Sequence, residues 1–355
     1  MKWLRSIACA LLLTCVSAQD FVRPPLWLQE LLRTRIGMNS GDVVEAVADA
    51  KPSVQVLSNH ERGEIAIAGV TRLGVPLDFF LQSFRGMPTF KRGQQVLLIR
   101  VFSNPPRLRD LGSLQLSSNE INALRSCTPG ACSVKLSAAM MEQIRRAAAP
   151  QDVTLRFKNA LLDYLAQYLS KGNAALITYA DKLPEVRNAD ELQGLLREAD
   201  WLKDAAPPLY DCPQSFSGKP CPQVISFLYW SSAKFGLKPL LSITHVMIYR
   251  TQRDERQCVY IAFKQIYADH YIQSSLGVAV LVQESGSSGN PALWLVYLNR
   301  SRTDALGGWL GPIKRSIAEG RSANAMRQNL TALKHNQELR YALRGNARAT
   351  STPLR

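Results

Sequence analysis

The chain has 355 residues, of which 46% are hydrophobic, 8% aromatic and 20% charged. This composition is typical of a globular protein with a large core, and it excludes a collagen-like or largely disordered chain. After residue 18, no segment approaches the roughly 20 consecutive apolar residues of a membrane-spanning helix, which argues against an integral membrane protein. Lys and Arg outnumber Asp and Glu by 43 to 28, giving a net charge of +15.

The first 18 residues predict a cleaved export signal. Lys2 and Arg5 precede an apolar run over residues 7–16, and small residues lead to a cleavage position after Ala18. Lipidation at Cys15 is the alternative, but residues 12–14 lack the small residue expected just before a lipidated cysteine. We therefore expect a periplasmic or secreted protein, whose net charge falls to +13 once the two basic residues of the signal are removed.

The first half of the remaining chain mixes strands and helices. Residues 19–60 predict an N-terminal extension with an amphipathic helix at 21–35. Alternation and helical spacing predict the elements that follow: strands at 64–70 and 95–102, and helices at 75–84, 118–124 and 137–148, the last capped by Ser137. Residues 150–205 then have helical periodicity and predict a helical insert.

The second half is rich in strands. They are predicted at 225–230, 240–249, 258–267, 271–283 and 293–298, with a flexible hairpin loop at 284–290. A final helix is predicted from about 306 to 333, with one apolar stripe along it. The stripe comprises Leu306, Leu310, Ile313, Ile317, Met326, Leu330 and Leu333. Residues 336–355 are polar and basic and predict a disordered tail.

Five cysteines remain after removal of the leader. Cys127 and Cys132 enclose a Pro-Gly turn, and Cys212 and Cys221 enclose a Gly- and Pro-rich loop, so each pair predicts a local disulfide in an oxidising compartment. A zinc site is the alternative, but neither spacing is that of a zinc knuckle and no histidine is close. Cys258 begins an apolar stretch and is interpreted as a buried small side chain.

The order of these elements resembles the helix-grip fold of START-like and polyketide-cyclase-like proteins. The matching segments are residues 64–90, the strands from 240 to 298, and the helix after Gly307 and Gly308, which together make up about half of the mature chain. The resemblance implies an α+β domain over residues 61–335, in which a curved antiparallel sheet grips a long C-terminal helix around a cavity. The helical insert is a departure from the compact members.

Three further segments look similar to an uncharacterised family of exported bacterial proteins. They lie around Cys127–Cys132, from Lys264 to Tyr271, and from Tyr297 to Asp304. This resemblance supplies no activity.

His245 is the first candidate for a functional role. In a strand it shares a face with Leu241, Ile243, Met247 and Tyr249, so its ring points into an apolar layer or cavity. A core histidine satisfied by one hydrogen bond is one interpretation. The other is a ring that orients a polar head group or acts as a general base, with a pKa lowered by burial.

A second candidate group is the polar segment that contains Lys264, Tyr267, Asp269 and His270. A bend at residues 268–271 would let these side chains reach one point, where Asp269 or Tyr267 sets the tautomer of a histidine. A solvated hairpin turn with ordinary surface charges is an equally open interpretation.

Arg300 and Arg302 precede the terminal helix. They are expected either to pair with Asp304 or to bind a carboxylate or phosphate at the cavity mouth. Thr303 and Asp304 are also candidates for the helix cap.

Motifs for the common hydrolases, dehydrogenases, nucleotide-binding proteins and zinc proteases are absent from the sequence, and no cofactor or metal is predicted. The basic C-terminal segment lacks interleaved aromatic residues, which favours an anionic membrane surface over nucleic acid as a partner. The leading hypothesis is an exported protein that binds a lipid or another hydrophobic small molecule. Its cavity would lie between the sheet face with His245 and the helix at 310–333, and His245, Lys264, Tyr267, His270, Arg300 and Arg302 would hold the polar end.

Two other hypotheses stay open. One is a cavity enzyme, a cyclase or hydrolase with His245 or His270 as base. The other is a non-catalytic cell-envelope protein whose cavity is filled core.

Overall fold

The structure is a computed structural model that describes most of the chain. The described residues are 23–48, 51–58, 61, 63–86, 96–235, 238–284, 291–306 and 311–350. The predicted export signal and most of the predicted loop at 284–290 lie outside them.

An antiparallel sheet forms the centre of the described fold. Eight strands follow the order β1-β2-β10-β9-β8-β7-β6-β3, and β4 and β5 form a separate two-stranded ribbon. The strand bounds are Ser53–Val56 (β1), Glu64–Leu73 (β2), Val96–Val101 (β3), Thr178–Tyr179 (β4), Val186–Arg187 (β5), Val224–Phe235 (β6), Lys238–Arg253 (β7), Arg256–Ala268 (β8), Ile272–Gln283 (β9) and Leu293–Thr303 (β10). The five long strands β6–β10 are adjacent in both sequence and space.

Ten α-helices are described. Their bounds are Leu26–Leu31 (α1), Ser40–Ala48 (α2), Leu77–Arg85 (α3), Ser118–Ser126 (α4), Ala138–Arg145 (α5), Pro150–Lys171 (α6), Asn188–Arg197 (α7), Leu202–Ala205 (α8), Pro207–Ser215 (α9) and Gly311–Thr350 (α10). A π-helical turn at Leu32–Ile36 extends α1, and 3-10 turns lie at Leu108–Leu111, Gly172–Ala175 and Asp304–Leu306.

Local sequence explains several helix ends. Ser117 and Glu120 form a reciprocal capping box at the start of α4. Ser137 accepts a hydrogen bond from the Met140 backbone at 3.3 Å, as its predicted capping role requires. Pro150 begins α6, where a missing N–H has no consequence, and Gly172 with a φ of 62° ends it.

Both faces of the sheet are covered, which explains why the central strands are buried almost continuously. We call the first face the helix-layer face. It carries Trp230, Met247, Tyr260, Val280 and Trp294. Side chains of α1, α2 and α4–α9 belong to the same apolar core.

We call the opposite face the long-helix face. It carries Tyr229, Val246, Ile261, Leu281 and Leu295. Side chains of α3 and α10 complete this second core. The sheet therefore separates two cores, each with its own helices.

A one-residue bulge in β8 changes the alternation near the end of that strand. Ile243 is opposite Tyr267 and Thr244 is opposite Gln265, so Ile266 is the extra residue. Ile266 and Tyr267 consequently both belong to the core of the helix-layer face. Two tyrosines of that layer hold the bulge, because Tyr164 donates to the Ile266 carbonyl at 2.6 Å and Tyr179 accepts from the Ala268 backbone at 3.0 Å.

The helix α10 lies against β2 on the long-helix face. Met326 and Leu330 are buried there, and Gly69 makes the approach possible, since a Cβ at this position would lie 2.5 Å from a methyl carbon of Leu330. Glu338 accepts from the Gly74 backbone at 2.7 Å, and Lys334 donates to the Arg72 carbonyl at 2.8 Å. These contacts fix the helix along one side of the sheet.

The main elements predicted from the sequence are confirmed: an α+β fold with an antiparallel sheet, a long C-terminal helix packed against it, and additional helices. Two expectations about the helix are wrong. It continues to Thr350, where a disordered tail was expected from residue 336. Its apolar positions also do not form one stripe, because Ile313 and Ile317 are exposed while Met326 and Leu330 are buried.

Both predicted disulfides are present, Cys127–Cys132 and Cys212–Cys221, and Cys258 is a buried free cysteine. Two disulfides are typical of a protein in an oxidising, exported environment. Within the described part of the chain, no helix combines the length and the apolar character that crossing a membrane requires.

Candidate functional site

A buried polar cluster lies on the helix-layer face, where β7 and β8 place His245 and Lys264 side by side. Nδ1 of His245 shares a 2.8 Å hydrogen bond with the hydroxyl of Tyr168 from α6. The ring of Phe216 lies edge-on to the imidazole, with 4.9 Å between ring centroids. His245 does face the apolar layer predicted for it, with Ile243 and Met247 in the same core.

The amine of Lys264 is fully buried. It donates to the side-chain oxygen of Asn173 and, at 3.3 Å, to the carbonyl of Pro213. It also lies over the rings of Tyr168 and Phe216, at 5.2 Å and 5.7 Å from their centroids. Among the described residues, this amine has no carboxylate partner.

This environment changes the protonation of the cluster. Burial, assisted by the positive charge of Lys264, lowers the pKa of His245 to about 3, so the imidazole is neutral at physiological pH. Burial also lowers the pKa of Lys264 to about 7. The pKa of Tyr168 lies well above its ordinary value because burial disfavours the phenolate. The lowered pKa expected for His245 from its sequence context is confirmed.

The cluster is enclosed by the protein. His245 is 2% exposed and Phe216 is 7% exposed, and the loop closed by the Cys212–Cys221 disulfide supplies both Phe216 and the Pro213 carbonyl. An amine with a pKa near 7 is a competent nucleophile or base. Here it joins α6, the disulfide loop and the sheet into one hydrogen-bonded unit.

A second cluster surrounds the bend after β8. The carboxylate of Asp269 accepts from the Leu241 backbone at 2.9 Å and lies 3.0 Å from Nδ1 of His270. Burial raises the pKa of Asp269, although the interaction with His270 opposes this. Tyr267 packs against the ring of Tyr179, with centroids 6.5 Å apart.

These side chains are buried, so the solvated hairpin turn is the wrong interpretation of this segment. The bend itself is present, with Tyr271 at a φ of 58°. The four polar residues do not share one point, however. Lys264 joins His245 on the helix layer, whereas Asp269 and His270 form a separate pair.

Arg300 and Arg302 are held by carboxylates, of which Glu64 is buried and Glu191 is partly exposed. Glu64, which is 1% exposed, accepts from Arg300 at 2.6 Å and from Arg302 at 3.4 Å, and Arg302 also donates to Glu191 at 3.1 Å. The pairing with Asp304 that the sequence suggested does not form.

Asp304 accepts from Lys182 at 2.7 Å and lies 3.3 Å from the amine of Lys135. Burial alone would raise the pKa of Asp304, but these two lysines hold it below its ordinary value. Thr303 accepts from the Ala305 backbone at 3.1 Å, so it caps the 3-10 turn and not α10.

The expectation of a cavity between the His245 face and the terminal helix is wrong, because the sheet separates the two. Met326 and Leu330 of α10 belong to the core of the long-helix face, and His245 lies on the other side of the sheet. The sequence periodicity correctly grouped His245 with Ile243 and Met247, but it could not indicate which helix covers that group.

The long-helix face, which sequence reasoning did not single out, contains a cluster of aromatic rings. Phe84 of α3 contacts Phe227 and Phe263 edge-on, with centroids 6.2 Å and 6.0 Å apart, and Phe263 contacts Tyr297 at 5.8 Å. We call these four residues the aromatic cluster. Tyr297 extends across β9 because Gly277 has no side chain: a Cβ at this position would lie 2.7 Å from the tyrosine hydroxyl.

A line of uncharged polar side chains adjoins the aromatic cluster on the same face. It crosses all five long strands and comprises Ser231, Ser242, Thr244, Gln265, Ser275, Asn299 and Ser301. We call it the polar row. The strand register makes it continuous, since Thr244 is opposite Gln265, Gln265 is opposite Ser275, and Ser275 is opposite Ser301.

Most of the polar row is satisfied internally. Ser231 and Ser242 share a hydrogen bond of 3.2 Å, and Ser275 and Ser301 share one of 2.8 Å. Asn299 donates a hydrogen bond to Ser275 at 3.2 Å. Gln265 is different. It is 9% exposed, and its carbonyl oxygen has no hydrogen-bond partner among the described residues. Such an acceptor is a place where a ligand donor would gain a hydrogen bond.

The sequence does carry a signal for this row. Ser242 and Thr244 alternate with Ile243 and His245, and Asn299 and Ser301 alternate with Leu298 and Arg300. In a sheet covered on both faces, polar residues at alternate positions near one strand end indicate a polar end to one core.

At the far end of the face, α3 and α10 are in contact. Phe79 packs edge-on against Tyr341 at 5.0 Å, and Arg344 donates to Gln82 at 2.9 Å. A cleft of about 480 Å³ opens beside these residues.

Comparison of the sequence with models of known protein families finds no matching family, and comparison with curated proteins finds no matching relative.

Proposed function

We propose that this is an exported protein that binds a neutral amphipathic molecule on the long-helix face, with its apolar body against the aromatic cluster and its polar end at the polar row. The observation that carries the proposal is the buried, unpartnered carbonyl of Gln265 next to Phe263. The two residues are two positions apart on β8, so they share one face and are separated by about 7 Å of strand.

The chemistry of the face defines the ligand class. The seven side chains of the polar row carry no charge, so they favour a hydroxyl, an amide or a protonated acid over a charged phosphate. The Gln265 carbonyl requires a donor from the ligand. Fatty alcohols, monoacylglycerols and isoprenoid alcohols meet both conditions.

Two features described above add support. The resemblance to START-like proteins implies a ligand between the sheet and its long helix, and α10 packs on the long-helix face, against β1, β2 and α3. The enzymatic alternative has less support, because a histidine with a pKa of about 3 that is bonded to Tyr168 is a poor base near neutral pH.

Native mass spectrometry with lipid extraction would test the proposal on protein exported into a bacterial periplasm. A co-purified neutral lipid at one per chain is the expected result. Binding of a fluorescent hexadecanol derivative then measures affinity. Gln265→Leu should weaken binding of that probe about ten-fold, since one buried hydrogen bond is lost.

The matched control is Gln257→Leu, an exposed glutamine on the same strand, which should bind the probe like the wild type. Phe263→Ala should weaken binding of both the alcohol and the corresponding alkane, because it removes apolar contact. An empty protein that shows no mass shift with a panel of neutral lipids contradicts the proposal. So does equal binding by the two glutamine variants.

A further inference from the structure

The side of α10 that faces away from the sheet carries exposed apolar residues at both ends. Ile313 and Ile317 near its start are 62% and 51% exposed, and Leu339 and Leu343 near its end are 50% and 59% exposed. At 100° per residue, Ile317 lies about 180° from Met326 and Leu339 lies about 180° from Leu330, and Met326 and Leu330 are the residues that contact β2. We call this exposed side, over residues 313–344, the outer side.

Charge on the helix is segregated in the same way. Lys314 and Arg321 are exposed and point away from Met326 and Leu330, and the exposed Arg327 flanks the outer side. The two acidic residues in this range are turned inward: Glu338 accepts from the Gly74 backbone and from Lys334, and Glu319 lies in line with the buried Gln337, five turns away. The outer side therefore presents cations and apolar side chains.

We propose that the outer side of α10 docks on the surface of an anionic lipid bilayer. Exposed lysine and arginine attract anionic headgroups, while isolated isoleucine and leucine side chains enter the boundary between headgroups and acyl chains. A second copy of this chain would bring two cationic surfaces together, and charge complementarity disfavours that pairing. This inference goes beyond ligand binding, because it needs only the outer side and not the long-helix face.

Charge should dominate the binding. Each basic residue near an anionic bilayer contributes roughly five-fold in affinity, so removing three should weaken binding on the order of 100-fold. Binding should also fall as salt rises, because the screening length shortens from about 10 Å at 0.1 M salt to about 3 Å at 1 M.

Vesicle co-sedimentation of the full mature protein tests the proposal, using phosphatidylcholine vesicles with and without phosphatidylglycerol. The wild type should bind only the vesicles that contain phosphatidylglycerol. The triple variant Lys314→Gln, Arg321→Gln and Arg327→Gln should lose that binding. A control with the same net charge changes three exposed arginines of the helix layer, Arg109→Gln, Arg125→Gln and Arg156→Gln, and should keep it.

The apolar contribution is tested by Ile313→Ser with Ile317→Ser, which should weaken binding at high salt more than at low salt. Equal loss in the outer-side and control triple variants would overturn the proposal, as would equal binding to both kinds of vesicle. A dimer in solution that the two isoleucine substitutions dissociate would also overturn it. Binding of the hexadecanol probe is measured separately, without vesicles. A variant that loses vesicle binding and keeps probe binding then shows that the two properties are independent.

Discussion

Replacement of Lys264 by methionine tests how the protein accommodates a fully buried amine. In the folded state burial lowers its pKa to about 7, whereas the ordinary value is 10.5. Between these two pH values the unfolded chain holds a proton that the folded chain has released. The free energy of unfolding therefore rises with pH across this window and loses that contribution as pH falls toward 7.

The size of the effect follows from the two pKa values. One pKa unit corresponds to about 1.4 kcal/mol, so a full slope of that size per pH unit develops above pH 7. Because the amine is half protonated at pH 7, the gain from pH 7 to pH 9 is about 2 kcal/mol. Urea unfolding at constant ionic strength, with the disulfides intact, measures this gain as the difference in pH dependence between the wild type and Lys264→Met.

In Lys264→Met this pH-dependent gain should disappear. The variant also leaves the oxygens of Asn173 and Pro213 without their donor, which lowers stability by about 1 to 3 kcal/mol at every pH and does not alter the slope. The matched control is Lys219→Met, an exposed lysine in the same disulfide loop, which should retain the wild-type slope. If all three proteins have the same slope between pH 7 and pH 9, the pKa of Lys264 is not lowered and the reasoning fails.

Three further predictions concern stability and can be measured by chemical denaturation. Cys212→Ser with Cys221→Ser should lower the free energy of unfolding by about 3 kcal/mol, because a short closed loop is released; a change below about 0.5 kcal/mol would contradict this. Leu330→Ala should lower the free energy of unfolding by about 3 kcal/mol, because it leaves a cavity at the contact with β2. Leu339 is half exposed on the same helix, so Leu339→Ala should change this free energy little. Similar losses in both variants would argue against the packing of α10 on β2. Glu64→Ala should cost about 3 to 5 kcal/mol, since two arginines lose a buried partner, and a loss under about 1 kcal/mol would show that the arginines are solvated instead.

The strands and the disulfides could be predicted from the sequence because both signals are local. Alternation located the five long strands, and it placed His245 on a common face with Ile243 and Met247. Alternation indicates only which residues share a face of the sheet. Whether α6 or α10 covers that face depends on how the sheet is flanked, and no pattern within β7 contains this information.

Long-range pairs were missed for a related reason. Arg300 finds Glu64, which is 236 positions away in sequence, although Asp304 is much closer along the chain. The predicted single apolar stripe on α10 fails because of the residue spacing. From Ile317 to Met326 is nine residues, or half a turn more than two full turns, so the two side chains point in opposite directions.

The bulge at Ile266 has a consequence for how the sequence can vary. The side chains of each long strand point alternately into two chemically different cores. The loss or gain of one residue within β8 would therefore move its side chains to the opposite face of the sheet. Upstream of the bulge, Lys264 would move toward the aromatic cluster and Phe263 toward the disulfide loop. Changes of length should therefore be confined to the connections between strands, and within the strands only substitutions should survive selection.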